Sequence, residues 1–288
     1  QFDLEDDENL ISVSLGGKES SALTSRGRLF TWGYNEYGQL GDGTTINKSN
    51  PIEITSGFDL TEGEMIVNIS LGFYHSSALT SMGRLFTWGY NEYAQLGDGG
   101  TTNKTTPTEI TSRFNLTENE MIVDVSLGGE HSSALTSEGN IFTWGRNDEY
   151  QTGDASINSI DTPTQITSSF NLLPDEKITS IELGFKFTGV LTSKGRFFTW
   201  GYDWYGQLGG GIRKIKYIPA EIIYSHANLK PIQTVSNEYA AVIEEYIPVL
   251  EGYTFSGWFS DADLTVPYSF ATMPANDIVL YCRWIPID

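Results

Sequence analysis

A single cysteine, Cys282, among 288 residues excludes an intramolecular disulfide and the thiol framework that staples small secreted domains. Bases are scarce as well: 17 Lys and Arg stand against 37 Asp and Glu, a net charge of −20. Such a field repels phosphate backbones and anionic lipid, so nucleic acid is not an expected partner. The one basic cluster, Arg213-Lys-Ile-Lys216, is too short to reverse it. No apolar run reaches the roughly eighteen residues of a spanning helix, so no membrane insertion is expected. Gln1 leads into an acidic stretch, Asp3-Leu-Glu-Asp-Asp-Glu8, which reads neither as a signal peptide nor as a cation site but as a solvated charge run. Catalytic motifs are missing too. There is no Gly-x-Ser-x-Gly, no zinc-type His/Cys cluster and no phosphate-binding loop.

What is abundant is aromatic residues and glycine, arranged with a period. Leu29 to Gly43 reads Leu-Phe-Thr-Trp-Gly-Tyr-Asn-Glu-Tyr-Gly-Gln-Leu-Gly-Asp-Gly and returns as Leu85 to Gly99 with Ala94 in place of Gly38. Looser copies run from Ile141 to Ala155 and from Phe197 to Gly211. Trp32, Trp88, Trp144 and Trp200 are spaced by 56 residues, as are Pro51, Pro107, Pro163 and Pro219. A fixed period of this length signals a propeller or an array whose units bury their faces on one another.

Each unit contains four β-rich stretches, in the second copy Met65–Leu71, His75–Thr80, Leu85–Trp88 and Pro107–Thr111. Ser81-Met-Gly-Arg and its equivalents supply the glycine that a tight reversal between the second and third needs. Four antiparallel strands make one blade. Alternation puts Phe86 and Trp88 on one face and Leu85 and Thr87 on the other, so the Phe/Trp pair is expected to wedge between blades. Ala94 and Tyr150 at the Gly38 position suggest that no glycine backbone angle is required there. Gly41, Gly97, Gly153 and Gly209 never vary and are expected to need theirs.

The run His-Ser-x-Ala-Leu-Thr-x-x-Gly-x-Leu-Phe-Thr-Trp-Gly-x-Asn-x-x-Gly-Gln-Leu-Gly resembles the RCC1 (regulator of chromosome condensation) repeats, and His75 to Gly97 fits it except at Ala94. The resemblance covers about residues 2–226 and implies a β-propeller, commonly of seven blades. Only four units are present here, so an arc of a larger propeller is expected. Phe2-Asp3-Leu4 aligns with Phe58-Asp59-Leu60, so the chain is expected to begin just after an earlier blade. Farther on, Gly252-Tyr-Thr-Phe-Ser-Gly-Trp258, Tyr268-Ser-Phe270 and Leu280-Tyr-Cys-Arg-Trp284 resemble the Listeria–Bacteroides repeat, a small β-grasp-like module of bacterial surface proteins. Its opening half, residues 232–250, lacks the family's Asn-Gly-Gly hairpin.

The expected fold is therefore an all-β propeller of four blades of about 56 residues (about 1–56, 57–112, 113–168 and 169–226) plus a small C-terminal β-grasp-like module with its linker at 227–288. His75 and His131 share a repeat position with Glu19 and Phe187, so they read as packing residues and not as catalytic bases. Neighbouring Ser76 and Ser77 point to opposite strand faces, which argues against a Ser/His nucleophile. Gly41-Asp-Gly lacks the alternating acids of a calcium loop. No catalytic residue, metal or cofactor is assigned.

The candidate binding residues lie just after the third strand of each unit: Tyr34, Glu36 and Tyr37; Tyr90, Glu92 and Tyr93; Arg146 and Asp148; Tyr202, Trp204 and Tyr205. Equivalent loops share one rim, and Tyr, Trp and Arg dominate binding hot spots. The function expected is non-catalytic binding of a protein or glycan ligand, with the surface-protein resemblance implying an extracellular or cell-surface setting in a bacterium. The alternative the resemblance implies is a regulator of a protein partner, either a guanine-nucleotide exchange factor or an enzyme inhibitor.

Overall fold

The computed structural model describes residues 2–211, 214–222, 253–259 and 281–286, with the backbone alone at 253–254 and 281–286. Two compact units divide the chain, Gln1–Ile222 and Ile223–Asp288.

The first unit is four antiparallel sheets of four strands each, in sequential order. Blade 1 consists of β1 (Leu10–Leu15), β2 (Glu19–Thr24), β3 (Leu29–Gly33) and β4 (Lys48–Glu53). Blade 2 consists of β5 (Ile66–Leu71), β6 (His75–Thr80), β7 (Leu85–Gly89) and β8 (Lys104–Glu109). Blade 3 has β9 (Ile122–Leu127), β10 (His131–Thr136), β11 (Ile141–Gly145) and β12 (Ile160–Gln165); blade 4 has β13 (Ile178–Leu183), β14 (Phe187–Thr192), β15 (Phe197–Gly201) and β16 (Lys216–Glu221). The fourth strand starts three residues earlier than the sequence suggests and carries its proline inside, which an edge strand tolerates because one row of its N–H groups has no ladder partner. The hairpin glycines Gly27, Gly83, Gly139 and Gly195 have φ between +74° and +81°, as the reversal demands.

The wedge is observed. Trp88 and Phe86 of blade 2 pack with Leu23, Leu29 and Ile54 of blade 1 in one buried cluster. Leu79 and Leu85, on the opposite face, belong to the cluster around Trp144 of blade 3. A third cluster joins Leu135 and Ile141 to Trp200 of blade 4. Each joint is pinned by the same bonds: Trp88, Trp144 and Trp200 donate Nε1–H to the carbonyls of Gln39, Gln95 and Gln151 at 2.9 Å. Ser76, Ser132 and Thr188 hydroxyls donate to those same carbonyls. Gly41, Gly97 and Gly153 lie against the indole, where a Cβ would come within 2.8 Å of its nitrogen. Each tryptophan edge also meets a phenylalanine from the connector: Phe58, Phe114 and Phe170, with Phe2 in the same place on Trp32.

Two expectations need correction. Glu8 is not part of a solvated acidic run; it is buried and pairs with Arg28 at 2.8 Å. Glu64 and Glu176, one and three repeats on, pair likewise with Arg84 and Arg196, whose other edge grips Glu109 and Glu221. Blade 3 keeps the geometry without the cation: Asn140 donates to Glu120 and receives from Gln165. The second correction concerns the Gly38 position. Gly38 and Gly206 have φ of +82°, and Ala94 and Tyr150 adopt +62° and +60°. The left-handed angle is required at all four, and two non-glycine residues hold it under strain.

The second unit is described as one antiparallel pair, β17 (Tyr253–Phe259) and β18 (Tyr281–Pro286). A bulge between Phe255 and Gly257 (φ +135°) brings the Phe255 and Trp258 rings to 5.6 Å, and Phe259 is buried. Arg213 of the basic cluster, the 227–250 stretch, and Tyr268 and Phe270 of the module lie outside the described residues.

Candidate binding face

The loop after the third strand is shaped by one buried amide. Asn35 Oδ1 accepts from the Leu40 N–H at 2.9 Å, and Nδ2 donates to Asp42 and to the Thr44 and Ile46 carbonyls. Asn91 and Asn147 repeat the arrangement. In blade 4, Asp203 keeps the acceptor bond to Leu208 but has no amide to donate. Asp42 is thus consumed as a turn acceptor, also bonded by Thr44 and paired with Lys48.

With the loops fixed, their first residues converge with the turn before the second strand. Tyr34, Tyr90, Arg146 and Tyr202 each donate their N–H to the carbonyl of Lys18, Tyr74, Glu130 and Lys186. The two sets of side chains therefore occupy one end of the sheets. The tyrosines interlock across blades: Tyr34 with Tyr37 at 6.0 Å between ring centroids, Tyr37 with Tyr74 at 5.1 Å, Tyr37 with Tyr90 at 4.8 Å, and Tyr90 with Tyr93 at 6.2 Å. Lys18 stands over Tyr34, and Arg146 lies 4.4 Å over the Tyr93 ring. Arg146 is held in place by Glu130 and Asp148.

Of the rim residues singled out from sequence, Tyr34, Tyr37, Tyr90, Tyr93, Arg146 and Tyr202 are half-buried, while Glu36, Glu92, Asp148, Trp204 and Tyr205 are exposed. The blade 1 to blade 3 members form one continuous surface. Tyr202 and Tyr205 make a separate pair at 6.3 Å beside the protruding Trp204. The Tyr34 hydroxyl donates to Glu36 at 2.8 Å and that of Tyr90 to Glu92 at 2.7 Å. The Glu36 bond, with lesser burial and charge contributions, pushes Tyr34 up to about 12, so its phenol stays protonated. Sequence reasoning missed Tyr74, Lys18, Glu130 and Lys186. That position varies from unit to unit, and only the cross-blade contact of Tyr37 with Tyr74 reveals it.

The other described residues offer little chemistry. His75 and His131 are wholly buried, and burial holds both down to about 3. Ser132 Oγ already donates to Gln95, so it accepts from His75 Nε2–H at 2.9 Å; His131 meets Thr188 in the same way at 3.0 Å. Both histidines join neighbouring blades and hold no mobile proton. Among the described residues no three His, Cys, Asp or Glu side chains group as a metal site. The axial depression is lined by Leu, Gly and Phe, including Gly72, Gly128, Phe73 and Phe185, with the two rings 5.2 Å apart.

The RCC1-like domain model matches residues 2–242, most of the chain. The chain belongs to the RCC1-like family. Residues 221–283 match the Listeria-Bacteroides repeat domain. Among RCC1-like relatives, the ultraviolet-B receptor UVR8 of Arabidopsis thaliana is 31% identical over 69% of this chain and 42% of its own. The human E3 ubiquitin-protein ligase HERC2 is 32% identical over 70% of this chain and 4% of its own. The solved structure of human WBSCR16 superposes with a TM-score of 0.68 at 26% identity, over 78% of this chain and 55% of that one. The chain thus spans less than half the length of these curated relatives, and what an RCC1-like propeller supplies here is a binding or regulatory scaffold.

Proposed function

We propose that this RCC1-like chain is a non-catalytic binding protein that grips a protein partner through the tyrosine face of blades 1 to 3, with Trp204 and Tyr205 of blade 4 as an outlying contact. The observation that carries the reading is the ladder from Tyr34 to Arg146. Its five rings and one guanidinium are set by bonds within the protein, so contact area is presented at little entropic cost. The exposed acids Glu36, Glu92 and Asp148 favour a partner surface with basic or hydroxyl-bearing groups. Recurrence of the loop lets weak contacts add. The match of residues 221–283 to the Listeria-Bacteroides repeat supports an extracellular or cell-surface setting in a bacterium, with that module as spacer or adhesin.

The test compares capture of partners by the wild type, by a Tyr37→Ala, Tyr93→Ala, Trp204→Ala triple variant, and by a Glu36→Lys, Glu92→Lys variant, whose exposed positions leave the fold intact. Loss of a protein partner in both supports the reading, equal recovery in all three overturns it, and binding confined to a glycan array would replace the protein by a sugar.

A further inference from the structure

The tyrosine ladder already carries cations of the chain's own. Lys18 Nζ stands 5.0 Å from the ring centroid of Tyr34 and 5.8 Å from that of Tyr74, and the Arg146 guanidinium lies 4.4 Å from that of Tyr93. Between these capped ends Tyr37 and Tyr90 meet at 4.8 Å, both half-buried, and among the described residues no cation is set over either. The acids divide in the same way. Glu130 and Asp148 are taken by Arg146, and Glu149 by Lys186 at 3.2 Å, whereas the exposed Glu36 and Glu92 pair with no base among the described residues. Each is steadied through Oε2, by the hydroxyl of Tyr34 or Tyr90, which leaves Oε1 for a guest.

Blade 3 displays the chemistry such a guest would use. Arg146 occupies the position of Tyr34 and Tyr90, lies on a tyrosine of the preceding blade and bonds Asp148, the equivalent of Glu36 and Glu92. A guanidinium on a tyrosine ring with a carboxylate at its edge is therefore an arrangement this face makes from its own residues. Blades 1 and 2 supply the rings and the acids without the cation. Resting on the reading of this face as the binding site, we propose that Tyr37 and Tyr90, with Glu36 and Glu92 beside them, receive an arginine of the protein partner, which docks through a basic segment. Arginine suits the seat better than lysine, because its planar head stacks on a ring while its N–H groups reach a carboxylate. Tyr37 and Tyr90 meet across the joint of blades 1 and 2, and blade 2 has a blade on either side, so the seat does not depend on the outer faces of the arc.

Fluorescence anisotropy on the full chain tests this with a labelled peptide of Gly-Ser-Arg repeats and its citrulline analogue, which keeps the planar side chain and loses the charge. The arginine peptide is expected to bind and the citrulline peptide to bind far more weakly. An exposed cation–ring or ion-pair contact is worth a factor of about two to five, so Glu36→Gln with Glu92→Gln is expected to weaken binding about tenfold. Glu62→Gln with Glu118→Gln removes the same charge at exposed connector positions and is expected to change binding less than about twofold, which separates the seat from the general field of the acidic chain. An arginine peptide that does not bind, a citrulline peptide that binds as well, or two double variants that weaken binding equally each overturn the proposal. The broader reading is judged separately by partner capture: a protein partner lost by the Tyr37→Ala, Tyr93→Ala, Trp204→Ala variant while the arginine peptide fails to bind refutes the basic segment and leaves the face standing.

Discussion

Replacing Trp88 by alanine tests whether the joints hold the arc together. The side chain is fully buried between blades 1 and 2, with Phe58 at its edge and Gly41 against its nitrogen. Removing about 200 Å² of aromatic surface at about 25 cal/mol per Å² gives an upper figure of about 5 kcal/mol. The lost Nε1–H bond adds only about 1 kcal/mol, since Ser76 still donates to the Gln39 carbonyl and leaves it satisfied. Partial collapse of the site offsets some of this, so a net cost of about 4 kcal/mol is expected, within the range of large aromatic truncations. Trp32 is the internal control. It has the same sequence context but is only half-buried, and its alanine variant is expected to cost about 1–2 kcal/mol. Urea denaturation followed by fluorescence and circular dichroism gives both values, the coincidence of the two probes testing whether the repeats unfold together. If Trp88→Ala costs under about 1 kcal/mol, or no more than Trp32→Ala, the wedge is not what joins the blades.

Three further outcomes are expected. Gly97→Ala pays both a left-handed backbone (φ +71°) and a Cβ 2.7 Å from the Trp144 nitrogen, whereas Gly209→Ala pays the backbone alone, so the first is more destabilising in the same denaturation assay; equal costs contradict the packing argument. Ala94→Gly relieves a left-handed alanine and raises stability by about 0.5–1 kcal/mol; a lowered urea midpoint contradicts the strain argument. Burial pushes the Glu19 carboxyl up to about 8 from an ordinary 4.5, against the pull of the Lys18 and Glu19 N–H groups, so the folded chain holds a proton that the unfolded chain gives up. Stability from this group is complete below about 4.5 and falls, by up to about 1.4 kcal/mol per pH unit, as pH rises to about 8; Glu19→Gln is expected to flatten the slope, and an unchanged slope assigns it elsewhere.

The blade was legible because its signals are local and repeated. The Trp spacing, the hairpin glycine and strand alternation each constrain one unit and are read four times. What escaped was of two kinds. Glu8 looked like one acid among several, and only the 56-residue step to Glu64, Glu120 and Glu176 separates it from its neighbours; charge-run reasoning overrode a period already in hand. Ala94 and Tyr150 misled differently, since residue type argues against a left-handed angle that the surrounding loop nonetheless imposes. The rim was half legible. The loop residues declared themselves by position, but the ladder is made by Tyr37 of one unit meeting Tyr74 and Tyr90 of the next, a contact no single repeat contains.

The division of labour within each loop bears on how the proposed binding face would be retuned. Asn35, Asn91 and Asn147 stay fixed, as do Gln39, Gln95 and Gln151, whose side chains cap the preceding turn and whose carbonyls receive the next blade. The residues that point outward beside them vary freely: Tyr, Tyr, Arg and Tyr at the first loop position, and Lys, Tyr, Glu and Lys in the adjoining turn. Stability thus resides mainly in the buried amides and indoles, and substitutions at the outward positions are expected to cost the fold little. Where the pattern is broken most, at Arg146 with its two acids and at Trp204 on a loop lacking its amide, the four near-identical loops cease to be equivalent. A repeated scaffold alone offers the same contact four times, so on the proposed binding reading discrimination between partners is expected to enter where the units differ, at Arg146 and Trp204 and in the varying turn of Lys18, Tyr74, Glu130 and Lys186.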